Sequence, residues 1–126
     1  MEPILIEGTK RIPLVILDNI LGKIEFHGRS IMDNPLEFYE PLYEWLETYK
    51  NLPCKTTDII IKLEYFNTAS SKCLLNIFKY LTDIYNSGYV INVTWWYIDE
   101  DTDMKETGED FQSIMNIPIN IINYSR

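Results

Sequence analysis

Three hydroxyl side chains stand close together where a strand-like segment passes into a helical pattern. Thr68, Ser70 and Ser71 follow the aromatic pair Tyr65 and Phe66 and precede a long segment with helical periodicity. Hydroxyls in this position lie at a helix N-terminus, where unpaired amide groups and the positive end of the helix dipole stabilise an anion. A phosphate on Thr68 would add about 1.5 to 2 negative charges and three strong acceptors. The residues therefore offer a phosphorylation site, with the alternative that Thr68 only caps the helix.

The densest carboxylate run offers a second possible chemistry. Asp99, Asp101 and Asp103 alternate in the way that calcium-loop ligands do. The match fails further on, because the sixth position of such a loop would be Met104 instead of glycine and the twelfth Asp110 instead of glutamate. Two interpretations remain: a solvated acidic cap before a helix, which the dipole favours, and an enzyme that binds a divalent metal through Asp99, Asp101 and Asp103.

The remaining candidates for catalysis are few. His27 is the single histidine, and the two cysteines, Cys54 and Cys73, have no CxxC spacing. These residues do not make a zinc site, and the five glycines form neither a GxGxxG nor a P-loop pattern. We therefore predict no catalytic residue, no metal and no cofactor. We interpret both cysteines as reduced thiols of a cytoplasmic protein.

Two neighbouring tryptophans, Trp95 and Trp96, point to opposite faces of one predicted strand because side chains alternate along it. We expect one ring in the core and the other beneath a second layer of helices. The alternative is that the second ring anchors a partner protein, since aromatic residues are frequent in interfaces. The candidate partner-binding residues are Tyr65, Phe66 and Trp96.

Charge and composition restrict the possible partners. The chain has 126 residues, a net charge of −8 and 46% hydrophobic residues. The negative field repels phosphate backbones and anionic lipids, so we expect no nucleic acid and no membrane partner. The N-terminus has no basic region followed by an apolar run, and no segment reaches the roughly 18 apolar residues of a membrane span. We predict a single domain over residues 1–126.

Six segments have the alternation or the β-branched content of strands. Between the second and the third, Asp18, Asn19 and Gly22 form the kind of sequence found in hairpin turns, which predicts antiparallel strands at the N-terminus. The segments are residues 4–7, 12–17, 23–27, 58–65, 89–98 and 117–122.

Three helical patterns alternate with the later strands. The first opens at Asn34 and Pro35, and Pro41 predicts that it either begins near Tyr39 or bends there. The second runs over about residues 68–85 and closes at residues 86–88, and a shorter third follows the acidic run. This order predicts an α/β (α+β) fold with a mixed sheet and covering helices. The apolar stripes are Phe38, Leu42, Trp45, Leu46 and Tyr49; Leu74, Ile77, Phe78, Leu81 and Ile84; and Met104, Phe111 and Ile114.

Three separate motifs resemble the SiaC family of regulatory phosphoproteins, in order and over nearly the whole chain. Residues 63–72, Leu-Glu-Tyr-Phe-Asn-Thr-Ala-Ser-Ser-Lys, are similar to the central motif of the family. The other two are Gly28-Arg29-Ser30 with Phe38-Tyr39, Pro41-Leu42, Trp45-Leu46 and Tyr49, and Trp96-Tyr97 with the acidic run and Gly108-Glu109-Asp110-Phe111.

The resemblance implies a fold similar to the STAS domains of anti-sigma-factor antagonists and a role in a bacterial partner-switching circuit. It implies that Thr68 is the acceptor, that a dedicated protein kinase modifies it and that a PP2C-type phosphatase reverses the modification. The effector that it implies for the unmodified form is a diguanylate cyclase, which links the switch to cyclic di-GMP, biofilm formation and aggregation. The physical chemistry agrees, because a charge at a helix N-terminus repels a fitted partner without unfolding the domain.

One position departs from the commonest pattern of the family. Ala69 stands where another hydroxyl residue is frequent, which leaves Ser70 and Ser71 as the alternative acceptors nearby. Two alternatives to the switch stay open: a constitutive scaffold, and the metal-dependent enzyme described above. The predicted environment of the phosphate is Asn67, Ala69, Ser70, Ser71 and Lys72.

Overall fold

The computed structural model describes residues 1–125, and within them all six predicted strands and all three predicted helices are present. None of these helices is long and apolar enough to cross a membrane. The strands are β1 Ile4–Ile6, β2 Leu14–Asp18, β3 Lys23–Ser30, β4 Thr56–Phe66, β5 Val90–Ile98 and β6 Ile119–Tyr124. The helices are α1 Pro35–Tyr49, α2 Thr68–Asn86 and α3 Thr102–Met115.

The strands form one mixed sheet in which spatial order follows chain order from β1 to β6. The first three strands are antiparallel, and the turn between β2 and β3 is closed by Asp18, whose Oδ1 accepts from the amides of Ile20 and Leu21 at 2.9 Å each. Strands β3 to β6 are parallel. Each of these strands is joined to the next by a crossover through one helix. Because such crossovers are right-handed and each one moves to the next strand on the same side, α1, α2 and α3 lie on the same face of the sheet. The predicted mixed sheet and N-terminal hairpin are confirmed.

The core lies between the sheet and this single layer of helices. Trp95 is fully buried there, whereas the opposite face carries exposed polar side chains such as Asp58, Asn92 and Asn120. Within residues 1–125 no second helical layer covers that face, so the expectation that Trp96 lies beneath helices is wrong. The strand residues of the core are Val15, Leu17, Ile24, Phe26, Ile59, Ile61, Leu63, Ile91, Val93, Trp95 and Ile119.

Helix α1 begins at Pro35 and not near Tyr39. Pro35 occupies the first helical position, where an amide donor is not needed, and Pro41 lies inside the helix. Asn34 precedes the helix, but its side chain makes no capping hydrogen bond. The buried face of α1 runs through Tyr39, while Phe38, which the apolar stripe predicts, is only half-buried.

The end of α2 follows its sequence signal, and the apolar stripe of α3 is buried in part. Gly88 follows α2 with a φ of +97°, a conformation that glycine adopts without strain. In α3, Met104 and Phe111 are buried as predicted. Ile114 is 62% exposed, so its predicted place in the apolar stripe is wrong.

Candidate functional site

The predicted phosphorylation site lies at the carboxyl edge of the parallel strands, where β4 passes directly into α2. Phe66 ends the strand, Asn67 is the N-cap and Thr68 is the first helical residue. Asn67 Oδ1 accepts a hydrogen bond from the Ser70 amide over 2.9 Å. Because Asn67 supplies the cap, the alternative in which Thr68 caps the helix is wrong.

The turn that carries Thr68 is anchored to the end of the neighbouring strand. The Asn67 amide donates to the carbonyl of Ser30 over 3.1 Å, and the Asn67 side chain donates to the carbonyl of Met32 over 3.3 Å. One asparagine therefore both caps α2 and ties it to the segment that follows β3. This arrangement fixes the backbone immediately before the predicted acceptor.

Beneath the turn, three hydroxyl groups meet in the core. Ser30 Oγ donates to Ser70 Oγ over 2.9 Å, and the Tyr39 hydroxyl lies 2.8 Å from Ser30 Oγ. All three side chains have a relative exposure of 0%. Burial raises the pKa of the Tyr39 phenol, and its hydrogen bond with Ser30 opposes that change in part. The network joins β3, α1 and α2 directly below the site.

The hydroxyls of the motif differ in accessibility. The Thr68 side chain is exposed, that of Ser71 is half-buried, and Ser70 is fully buried in the network. In the folded chain a kinase can therefore reach Thr68 and Ser71, whereas the sequence-based expectation of Ser70 as an alternative acceptor conflicts with its burial. Ala69 and Lys72 are both exposed beside the acceptor.

A bulge beside the site brings a cation and an aromatic ring to the same edge. The register of β3 against β4 shifts between Gly28 and Arg29, and Arg29 pairs with Tyr65. Gly28 takes a φ of +99°, which suits a residue without a Cβ. Arg29 Nε lies 3.5 Å from Glu64 Oε2 in an exposed ion pair, a type of contact that adds little stability.

The three candidate partner-binding side chains do not lie on one surface. Tyr65 is 56% exposed, on the face of the sheet opposite the helices. Trp96 lies on that open face too. Phe66 instead faces the helices, with its ring packed edge-on against Trp95 at a centroid distance of 6.2 Å. The structure thus groups Tyr65 with Trp96 and assigns Phe66 to the core side.

Trp96 is part of a small cluster on the open face. Lys62 Nζ lies 5.4 Å from the centroid of the Trp96 ring and 4.6 Å from that of Tyr124. The two rings pack edge to face at 6.1 Å. Cation–π contacts of this kind hold a cation over the aromatic faces. The exposed part of the Trp96 ring therefore lies beside a positive charge in a chain of net charge −8.

The acidic run lies between the end of β5 and the start of α3, and its side chains form hydrogen bonds there. Asp101 Oδ1 accepts from the Met104 amide over 3.1 Å, and Asp99 Oδ1 accepts from the Asn123 side chain over 2.6 Å. Among residues 1–125, no three acidic, histidine or cysteine side chains converge as metal ligands would. The geometry favours the acidic-cap interpretation of the run.

Two site residues were not recognised in the sequence as parts of the site. Ser30 and Tyr39 belong to segments whose similarity to the family was noted, but nothing local indicates that their hydroxyls meet that of Ser70. The available signal was Tyr39 itself, which lies three residues before Leu42 on the apolar side of α1. A tyrosine on a buried helix face needs a hydrogen-bond partner in the core.

Solved structures with the same fold come from Pseudomonas aeruginosa. SiaC of that organism superposes with a TM-score of 0.85 at 21% identity, over all of both chains. A chain in the crystal structure of the diguanylate cyclase SiaD in complex with its activator SiaC gives a TM-score of 0.89 at 23% identity, over 96% of this chain and 99% of the other. These likenesses establish the fold.

Sequence comparison gives the family. A protein of Pseudomonas aeruginosa (strain UCBPP-PA14), described only as uncharacterized, is 24% identical over 121 residues, which is 96% of each chain. The family model described as SiaC family regulatory phosphoprotein matches residues 6–124, and this range contains the capped turn, the buried hydroxyl network and the acidic run. The chain belongs to the SiaC family of regulatory phosphoproteins.

Proposed function

We propose that this chain is a phosphorylation-controlled binding module of a bacterial partner-switching circuit, with Thr68 as the acceptor and no catalytic activity of its own. The observation that carries the proposal is the exposed hydroxyl of Thr68 on the first residue of α2, held by the Asn67 cap. The neighbouring Ser70 hydroxyl is buried. A kinase therefore meets a capped turn that presents an exposed threonine.

A phosphate at this position acts on partners more than on the fold. The positive end of the α2 dipole stabilises an added anion, typically by about 0.3 to 1 kcal/mol. A partner surface that fits the bare hydroxyl instead meets about 1.5 to 2 negative charges. The modified chain stays folded and loses its partner.

The effector that we propose is a diguanylate cyclase, bound and stimulated by the unmodified form, so that the switch regulates cyclic di-GMP and through it biofilm formation. This step is supported by membership of the family and by the solved relative named as the activator of the cyclase SiaD. The surface residues that we assign to this contact are Thr68 and its exposed neighbours Tyr65 and Lys72.

The circuit also requires enzymes that write and remove the phosphate. We propose a dedicated protein kinase and a PP2C-type phosphatase, on the basis of the resemblance of residues 63–72 to the family motif. We place the circuit in the cytoplasm, in keeping with two free thiols at Cys54 and Cys73.

The test has two parts. Mass spectrometry of phosphopeptides from the protein recovered from its native cells locates the phosphate, which we expect on Thr68. The unmodified and phosphorylated forms are then titrated calorimetrically against a purified diguanylate cyclase of the same organism. We expect phosphorylation to weaken binding at least about tenfold, which corresponds to about 1.4 kcal/mol.

Two variants make the result specific. Thr68→Ala should bind the cyclase and take up no phosphate, while the control Ser71→Ala should bind, be phosphorylated and be released like the parent chain. Equal affinity of the two forms would support a constitutive scaffold and reject the switch. A phosphate found on Ser71 alone would reject Thr68 as the acceptor.

A further inference from the structure

A groove runs between the exposed sides of α1 and α2. It has a volume of about 680 Å³ and contains three carboxylates and two aromatic rings. We call it the α1–α2 groove. Its lining residues are Glu40, Tyr43, Glu44, Glu47, Thr48 and Tyr80.

Two stacked tyrosines form the apolar part of the α1–α2 groove. The rings of Tyr43 and Tyr80 have centroids 6.0 Å apart and an interplanar angle of 26°. Tyr43 is held in place because its hydroxyl donates to the Cys73 carbonyl over 2.9 Å. Both rings are only half-buried, so part of each aromatic surface faces the solvent.

The carboxylates of the groove follow the helical repeat of α1. Glu40, Glu44 and Glu47 are spaced i, i+4 and i+7, which places them on one side of the helix over about 10 Å. In the described part of the chain, neither Glu40 nor Glu44 has a lysine, arginine or histidine within ion-pair distance. Two of the three charges in this row are therefore uncompensated.

The chain itself places a cation beside the groove, against two of its lining residues. Lys50 Nζ lies 5.5 Å from the centroid of the Tyr80 ring, 3.3 Å from Glu47 Oε2 and 3.6 Å from Asp83 Oδ2. Its hydrogen bond with Glu47 is the main cause of a raised pKa of the Lys50 ammonium. Two groups that line the groove, the Tyr80 ring and the Glu47 carboxylate, thus hold an ammonium beside it together with Asp83. Within residues 1–125, Glu40 and Glu44 have no such cation.

We propose that the α1–α2 groove is a docking site for a positively charged amphipathic helix of a partner protein. The complementary helix carries lysine or arginine at positions i, i+4 and i+7, which match the repeat of Glu40, Glu44 and Glu47. Its apolar side packs on Tyr43 and Tyr80. A helix is the expected shape because the groove between two neighbouring helices accepts the side-chain ridge of a third.

The docking site extends along α2 away from the proposed switch. Tyr80 lies twelve residues beyond Thr68 in α2, which corresponds to about 18 Å along the helix axis. At the other end of the groove, Tyr43 donates to the carbonyl of Cys73, which is only five residues beyond Thr68. Because the Debye length at physiological ionic strength is about 8 Å, a phosphate on Thr68 hardly changes the potential at Tyr80 but adds to the negative potential at the Tyr43 end.

The test uses two synthetic amphipathic peptides of about 20 residues and equal composition. In the first, lysines repeat at i, i+4 and i+7 opposite a leucine face; in the second, the same residues are scrambled. We expect the patterned peptide to bind the parent chain at least about tenfold more tightly than the scrambled peptide, as measured by fluorescence anisotropy. Equal binding of the two peptides would reduce the effect to net charge and overturn the proposal.

Charge reversal locates the site. The double variant E40K/E44K should bind the patterned peptide at least about tenfold more weakly than the parent chain. The matched control E106K/E109K, at exposed positions of α3, should lose less than about threefold in affinity. Both pairs change the net charge from −8 to −4, because each exchange adds two units. A peptide with glutamates in place of the lysines should bind E40K/E44K better than the parent chain. Equal losses of affinity in the two double variants would show that the peptide responds to the net charge of the chain and not to the groove.

Discussion

The hydroxyls of Ser30 and Ser70 lie 2.9 Å apart inside the core, although forty positions separate the two residues in the chain. Ser30 belongs to the last residue pair of β3 and β4, and Ser70 to the first turn of α2. Tyr39 of α1 completes the network at 2.8 Å from Ser30 Oγ. The predicted acceptor turn therefore rests on a buried polar contact, and the removal of that contact has a measurable cost.

Ser30→Ala should destabilise the chain by about 1 to 3 kcal/mol. The substitution leaves the hydroxyls of Ser70 and Tyr39 without their buried partner, and an unsatisfied buried polar group costs about that much. The measurement is the free energy of unfolding in urea. Ser113→Ala, at an exposed position of α3, is the control and should change that free energy by less than about 0.5 kcal/mol.

A double-mutant cycle tests the network further. Ser30→Ala and Ser70→Ala should be non-additive by about 0.5 kcal/mol or more, because each removes the partner of the other. Strict additivity, or a loss for Ser30→Ala no larger than that of the control, would contradict the network.

Asn67→Ala should cost about 1 to 2 kcal/mol of the free energy of unfolding. It removes the cap on the Ser70 amide and also the donor to the Met32 carbonyl. Asn67→Asp keeps the capping acceptor and loses only the donor, so its loss should be smaller. Urea unfolding of the three chains gives the order, and an Asp variant as unstable as the Ala variant would show that the cap contributes nothing.

Alkaline pH should destabilise the chain through three tyrosines that are buried or half-buried. Burial raises the pKa of Tyr39, Tyr43 and Tyr49 above the ordinary value of about 10. A raised folded-state pKa gives stability that is complete below the unfolded-state value and is lost as pH rises toward the folded-state value. The free energy of unfolding should therefore fall above about pH 10, because the unfolded chain ionises first.

The slope of that fall identifies the tyrosines responsible. Urea unfolding from about pH 8 to about pH 11 should show a shallower fall for Tyr39→Phe, which cannot ionise, than for the parent chain. Tyr65→Phe, at an exposed position, controls for the substitution itself. An unchanged slope in Tyr39→Phe would contradict the assignment to the buried phenol.

Gly108→Ala should destabilise the chain by about 1 to 3 kcal/mol, although alanine is the better helix former by about 1 kcal/mol. A Cβ at this position would lie 2.7 Å from Cδ1 of Trp95, closer than carbon atoms approach. The indole cannot yield easily, because it is buried and its Nε1 donates to the Met104 carbonyl over 3.0 Å. Urea unfolding measures the loss. The exposed control Lys105→Ala should stay within about 0.5 kcal/mol, and a stabilised Gly108→Ala would show that the indole moves aside.

The sequence predicts elements well wherever a local pattern decides them. The hairpin turn at Asp18 and the close of α2 at Gly88 depend on residues that are neighbours in the chain. The end of β4 and the start of α2 at Thr68 also depend on residues that are neighbours in the chain. Local hydrogen bonds and glycine conformations carry these signals, so one sequence is enough to find them.

The parts that the sequence does not predict depend on contacts between distant segments. Trp96 has the alternation of a strand residue, but whether helices cover its face depends on the direction of three crossovers. The Ser70 hydroxyl can be buried because Ser30, from a distant strand, is its hydrogen-bond partner. In α1 either of two adjacent aromatic residues, Phe38 or Tyr39, could face the core, and only the packed structure shows that Tyr39 does. Ile114 fits the helical repeat of α3, yet it lies beyond the edge of the core. The periodicity of apolar residues identifies one face of a helix or strand, but it does not show which other element packs against that face.

Phosphorylation of Thr68 should leave the free energy of unfolding unchanged or raise it by up to about 1 kcal/mol. The phosphate would lie on the first residue of α2, where the helix dipole favours an anion, and the Thr68 side chain is exposed. Urea unfolding of the phosphorylated and unmodified chains measures the difference, and added salt should reduce it because the interaction is screened. Treatment with a phosphatase should return the value of the unmodified chain. A loss of more than about 1 kcal/mol on phosphorylation would mean that the phosphate disturbs the Asn67 cap or the Ser30 network, and the switch would then act by local unfolding instead of by repulsion of a partner.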